Sequence, residues 1–566
     1  MNLRTALLGA AASVAFAPMA LAERGADGHV NVIYWQAPSI LNPYLSGGTK
    51  DVESASLIIE PLARHDNTGA LVPYLAAEIP TLANGGVAED LKSITWKLKP
   101  GLLWSDGTPV TAADAVFTWE YCTHPEGGCA QAAKFVGVTS VEALDDLTIK
   151  ISFSDPKPNP YLPLVGAQSP IIQKAQFAEC LGAKAPECTA ANFGPIGTGP
   201  FKVVEFRTND VISLEANPNY RDPAKPRFAT MTFKGGGDAE GAGRAVLETG
   251  EFDYAWNLQL APTVINKMVE AGKGQALSAF GTLVERIEVN MTNPSPSLPE
   301  GERSTAKHPH PFLSDPAVRK ALSMAIDREL LVEVGYGRAG RPTCDLVPGP
   351  ELYAAKNTSC LQQDIAGANK LLDDAGWVKG ADGVRAKDGV RLSMLYQTST
   401  NAVRQDFQAL IKQWWSEIGV EAELKNVSAS VFFGGDPGSP DTFQKFYADV
   451  EMYANNFDGT DPESYLGAYL CNKAPRPETQ WQGENINRFC DPAYDALHAE
   501  LTRTAEPEKR REIAIKLNNM LTVDSNVIIP LVDRGRVSAH SNSLGGVILN
   551  TWDSELWNAA DWYRIK

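Results

Sequence analysis

Eight cysteines stand in four close couples along a 566-residue chain: Cys122 with Cys129, Cys180 with Cys188, Cys344 with Cys360, and Cys471 with Cys490. Eight cysteines can pair in many ways. In an oxidising compartment they are expected to pair, and nearest-neighbour pairing closes four short loops. Zinc competes for the same thiols, but no Cys-x2-Cys occurs and histidine is scarce, at seven. The spacing therefore favours disulfides over a metal site.

The compartment is read from the N-terminus. Arg4 supplies a short basic segment, "ALLGAAASVAFAPMALA" a small-residue apolar stretch, and Ala20-Leu21-Ala22 a cleavage pattern. Residues 1–22 are expected to be a signal peptide. No cysteine follows at Glu23, so no lipid anchor is expected, and no other stretch reaches the ~18 apolar residues of a membrane span. The net charge is −17, which disfavours nucleic acid as a partner. About 540 mature residues exceed one core, so two or three domains are expected.

From Val30 the chain reads strand, loop, helix: "VNVIYW", "QAPSILNPYLSGGTK", "DVESASLIIEPLA". This alternation continues, as in α/β domains. Pro- and Gly-rich stretches interrupt it at 154–163, 291–311 and 434–441. "WSDGTPVTAADAVFTWEY", residues 104–121, looks like a site because of Asp106 and Asp114. Each residue in it has an architectural job, however. Asp106-Gly107 makes a turn after the strand "ITWKLK", Thr111 and Asp114 form a capping box, and Ala112, Ala115, Val116 and Trp119 share one helix face.

Catalytic signatures are missing. The sequence holds no G-x-S-x-G and no H-E-x-x-H. His308 and His310 fall together only in the Pro-rich "KHPHP". The glycine-rich "FKGGGDAEGAGRAVLETGEFDYAW" matches neither phosphate-binding pattern. A carboxylate pair for hydrolysis is a matter of space rather than of spacing.

Four stretches taken together are similar to one family. "TWKLKPGLLWSDGTPVTAADAVFTW", "GTGPFKVVEFRTNDVISLEANPNY", "VRKALSMAIDRELLVEVGYGRAG", and "ANKLLDDAGW" with "DGVRAKDGVRL" resemble the extracellular solute-binding proteins of family 5, the periplasmic dipeptide- and oligopeptide-binding type that serves ABC importers. The resemblance implies an α/β, two-lobed periplasmic-binding-protein fold of type II, with an extra inserted subdomain in the first lobe. The first lobe is expected over 23–294 plus 531–566, with the insert at about 67–190, and the second over 295–530. It implies a periplasmic monomer that closes on a small-molecule or peptide ligand and passes it to permease subunits in the inner membrane. No cofactor and no catalysis are implied. A secreted hydrolase and a periplasmic chaperone or chemoreceptor ligand carrier are the rival readings.

The resemblance also implies site residues. In the peptide-binding relatives an aspartate before an Asp-Pro holds the ligand's α-ammonium. In "YANNFDGTDPESY" that position is Asp458, for which a turn residue in "DGTDP" is the competing role. Relatives carry Trp where this chain has Asn455, so Asn455 and Asn456 imply a more polar wall than a peptide pocket needs, which points to a sugar-like or amino-sugar-conjugate cargo such as an opine. Trp256, Asn257 and Gln259 in "EFDYAWNLQLAP" are expected to reach the cleft, and core packing is the competing role for Trp256. Trp481 and Arg488 lie in a loop bounded by Cys471 and Cys490, where Arg488 is expected to clamp a carboxylate.

Overall fold

The structure is a computed structural model that describes residues 23–299, 301–457 and 459–565. The expected signal peptide, 1–22, and Asp458 lie outside the described residues.

Two mixed sheets organise the chain. The first has seven strands in the order Gly274–Ala279, Arg536–Ser541, Tyr254–Ala255, His29–Tyr34, Thr230–Gly235, Val211–Ala216, Phe201–Arg207. Its founding strand, "HVNVIY", turns Val30, Val32 and Tyr34 into the core, as a period of two requires. It pairs in parallel with both neighbours. The second sheet has six strands in the order Gly340–Pro342, Ile528–Arg534, Val284–Val289, Val450–Asn455, Ser393–Ser399, Glu421–Val427. Its core, with Ile287, Leu322, Phe407 and Trp415, is separate from that of the first sheet.

The strand order has the chain cross between the sheets at 280–283 and return at Gly535. Val284–Val289 therefore belongs to the second sheet, flanked by Val450–Asn455 and Ile528–Arg534. Sequence reading put that strand, and Leu531–Arg534, in the first lobe. The resemblance set the lobe boundary at 294/295, past the end of this strand, whereas the strand order has the chain cross before it. Between residues 93 and 153 a three-stranded antiparallel sheet, Ser93–Lys97, Thr148–Phe153 and Val138–Asp145, forms a smaller layer.

The "WSDGTP" segment is architectural. Asp106 Oδ1 accepts from the Thr108 backbone N–H at 2.9 Å, and Asp114 Oδ2 accepts from that of Thr111 at 2.9 Å. The helix Ala112–Thr123 buries Ala112, Ala115, Phe117 and Tyr121. Val116 and Trp119 are only partly buried, so the core face is rotated from the expected one. All four expected disulfides form, with Cα–Cα separations of 5.1, 5.8, 5.7 and 4.5 Å in chain order. No helix among the described residues is long and apolar enough to cross a membrane.

Candidate functional site

A cavity with about 1270 Å³ of empty space, part of it open to solvent, lies where the two sheets face each other across the crossings. Both lobes and both crossings contribute to its wall.

On the first-sheet side the chain leaves Tyr254–Ala255 and turns at Trp256-Asn257, both on the wall. Asn257 adopts φ 52°, a left-handed conformation that asparagine tolerates better than most side chains. Its carbonyl accepts from Trp35 Nε1 at 2.8 Å, and its Oδ1 accepts from Arg534 Nη2 at 2.8 Å. Trp256 stacks flat on Tyr34, with centroids 4.5 Å apart. It is both core and wall, and its indole N–H has no partner among the described residues.

On the second-sheet side, one face of the Val284–Val289 and Val450–Asn455 ladder carries Arg286, Glu288, Glu451, Tyr453 and Asn455. Arg286 Nε donates to Glu288 Oε1 at 2.6 Å, Nη1 to Tyr465 Oη at 2.8 Å and Nη2 to Tyr469 Oη at 3.2 Å. The guanidinium also lies 4.9 Å from the centre of the Tyr453 ring. Burial raises the pKa of Glu288 despite Arg286 beside it. Asn455 and Asn456 continue the wall beyond the strand.

The wall is rich in cations: Lys50, Lys134, Arg286, Arg404, Arg534 and Arg536, against two acids, Glu484 and Glu555. Most of the cations are answered from behind. Lys50 Nζ donates to both Asp51 oxygens at 2.8 and 2.9 Å, Arg404 Nε to Glu285 Oε1 at 2.6 Å, and Arg536 Nη1 to Glu53 Oε1 at 3.0 Å. Burial pushes the Glu285 carboxyl up, but Arg404 and Arg534 hold it below its ordinary pKa. These groups form buried ion clusters at the seam between the sheets, each charge matched by another.

Of the expected site residues, Trp256, Asn257, Asn455 and Asn456 line this cavity. Gln259 does not. It donates to Tyr336 Oη at 2.9 Å and accepts from Asn401 at 2.8 Å, locked inside the seam. Trp481 packs edge-on against Tyr447, with centroids 5.8 Å apart, and is off the wall. Arg488 is buried; its Nη1 donates to the Ile486 carbonyl and its Nη2 to those of Gln444 and Lys445, while its Nε has no hydrogen-bond partner among the described residues. Burial draws its pKa down to about 9. A guanidinium holding three main-chain oxygens is a loop brace and no carboxylate clamp. From the same loop Gly483 and Glu484 reach the cavity instead.

Sequence reading missed Arg286, Arg404, Arg534, Arg536, Lys134 and Glu484. A signal did exist for three of them. Arg286 stands with Glu285 and Glu288 among the apolar residues of "VERIEV", and Arg534 and Arg536 flank the return glycine in "VDRGRV". A charge inside a buried strand needs a partner or a ligand. Among the described residues no group of His, Cys, Asp and Glu side chains could hold a metal ion.

Comparison with known proteins bears on this arrangement. The family model described as "Bacterial extracellular solute-binding proteins, family 5 Middle" matches residues 70–475. The chain is 23% identical to the glutathione-binding protein GsiB of Shigella boydii serotype 4, over 89% of each chain. It is 26% identical to the periplasmic oligopeptide-binding protein OppA of Salmonella typhimurium, over 80% of each. In fold it is similar to the oligopeptide-binding protein AppA of Bacillus subtilis, solved in complex with a nonapeptide. The TM-score is 0.79 at 20% identity, covering 96% of this chain and 100% of that one.

Proposed function

This chain belongs to the bacterial extracellular solute-binding proteins of family 5, and on that premise we propose that it captures a peptide-like or other polar solute by closing its lobes and delivers it to the permease of an ABC importer. The observation that carries this is a cavity between two sheets, with the chain passing from one to the other at 280–283 and back at Gly535. Two short crossings let the lobes swing as bodies, and a ligand in the gap is the natural ground for closure. The lobes are 23–279 with 536–566, and 284–534.

The solute meets Trp256, Asn257, Asn455 and Asn456, an aromatic platform beside amides. Asp458, by its position in the sequence, is assigned to a cationic group on the cargo. Relatives named for glutathione and for oligopeptides support a peptide-like solute. In this reading the protein makes and breaks no bonds, is monomeric, works in the periplasm after losing residues 1–22, and needs no cofactor. The test is mass spectrometry of whatever co-purifies and is released on denaturation, followed by calorimetric titration of that compound. A recovered solute that rebinds with 1:1 stoichiometry and is returned unchanged is expected. Turnover of that solute would sink the reading.

A further inference from the structure

Two charges on the cavity wall are not answered from behind. Lys134 is 6% exposed and lines the cavity. Its ammonium makes no hydrogen bond or ion pair with another described residue, whereas Lys50, Arg286, Arg404, Arg534 and Arg536 all do. Glu484 is the counterpart on the other lobe. Its Oε2 is buried with no hydrogen-bond partner among the described residues; burial raises its pKa, opposed first by Lys473 and then by Lys134, neither of which forms an ion pair with it.

Both groups are held firmly from behind. Lys134 sits in the short helix Ala132–Phe135, just past the loop closed by Cys122–Cys129. Gln131 ties that helix to the Ser46 carbonyl at 3.2 Å. Glu484 sits inside the Cys471–Cys490 loop, its backbone N–H donated to the Lys473 carbonyl at 3.1 Å. Lys134 also borders a neighbouring cavity lined by Tyr161 and Tyr353, so its head group has open space on two sides. The Lys134 ammonium thus faces the cavity with no acceptor among the described residues.

We infer that Lys134 and Glu484 form a cargo subsite, one on each lobe, in which Lys134 takes a carboxylate of the solute and Glu484 takes an ammonium or hydroxyl donor. The inference rests on the solute-binding reading above and narrows it to carboxylate-bearing cargo. It shares the cavity with Asn455 and Asn456 but uses different side chains. Each bare charge is completed only when a ligand carrying the complementary groups is enclosed, so the pair rewards closure on the right solute. A neutral polyol leaves the ammonium unanswered and is disfavoured.

The test uses protein stripped of cargo with its disulfides intact, as wild type, Lys134→Met, Glu484→Gln and the exposed control Lys412→Met. The probes are glutathione and trialanine, each as the free acid and as the carboxyl methyl ester. At least one free acid is expected to bind wild type and Lys412→Met at least tenfold more tightly than its ester, as a charge-assisted hydrogen bond implies. Lys134→Met should abolish that preference, and Glu484→Gln should weaken acid and ester alike. Cargo-free melting temperatures of both variants should hold, because neither side chain makes a hydrogen bond or ion pair with another described residue. Absence of an acid preference in wild type, or its survival in Lys134→Met, overturns the subsite. So does a fall in melting temperature with the preference intact, which marks a structural role. Esters that bind as tightly as the free acids and compact the protein leave the solute-binding reading standing while the subsite fails. If no solute at all, including cargo recovered from the native protein, binds or compacts it, both fail.

Discussion

Individual side chains at the seam between the lobes carry costs that can be measured. Asp533 is buried in the strand Ile528–Arg534, and its Oδ1 has no hydrogen-bond partner among the described residues. Burial pushes its pKa up to about 6, with Arg341 opposing. A carboxyl whose folded pKa lies above its unfolded value favours the native state while protonated. That contribution is complete below about pH 4 and is lost as pH rises through about 6. Asp533→Asn removes the titration. Its melting temperature is expected to match wild type near pH 4 and to exceed it at pH 8, by the equivalent of up to about 3 kcal/mol. Equal melting curves at both pH values would show that Asp533 is solvated. Arg286 tests the opposite case. Arg286→Met leaves Glu288 buried without its partner and should cost about 3–5 kcal/mol. Arg286→Met with Glu288→Gln should recover most of it, read by denaturant titration. A double variant as unstable as the single one would mean that Arg286 contributes packing against its tyrosines rather than charge.

Elements differ in how plainly the sequence announces them. The Thr111–Asp114 capping box and the four disulfides were legible because each is settled within about twenty residues of chain. The cleft wall was legible only in part. Trp256, Asn257, Asn455 and Asn456 sit at the ends of strands, where a motif alignment carries position faithfully. Trp481 and Arg488 belong to a loop of 3-10 turns and left-handed residues, with φ of 61° and 55°, so spacing says nothing about which side faces the cavity. Gln259 looked available because its partners Tyr336 and Asn401 are remote in sequence. The stapled loop yields an element-scale prediction. Replacing Cys471 and Cys490 by serine should cost about 3 kcal/mol on loop entropy. It should also weaken cargo binding beyond that, since Gly483 and Glu484 lose their anchor. Binding per folded molecule at the wild-type level would mean the loop holds its shape without the staple.

At the scale of the whole molecule, two lobes meet across more than the cargo. Lys157, in the segment after Thr148–Phe153, donates to Glu463 Oε1 at 2.8 Å, and both side chains are about 5% exposed or less. Glu463 opens the helix Glu463–Gly467 on the other side of the cleft and also accepts from Arg510 at 2.6 Å. Lobe opening would return both charges of the Lys157–Glu463 pair to water. Such a pair gains little net energy over its hydrated state, so it registers the closed form without locking it. Lys157→Ala is expected to shift cargo-free protein toward a larger radius of gyration, and cargo should restore the compact form. The central claim is that cargo is enclosed by lobe motion about 280–283 and Gly535. Small-angle scattering on stripped protein, titrated with the solute recovered from the native protein, tests it most directly. The account predicts that the radius of gyration falls with the same midpoint as calorimetric binding. Saturable binding with no change in radius would contradict it.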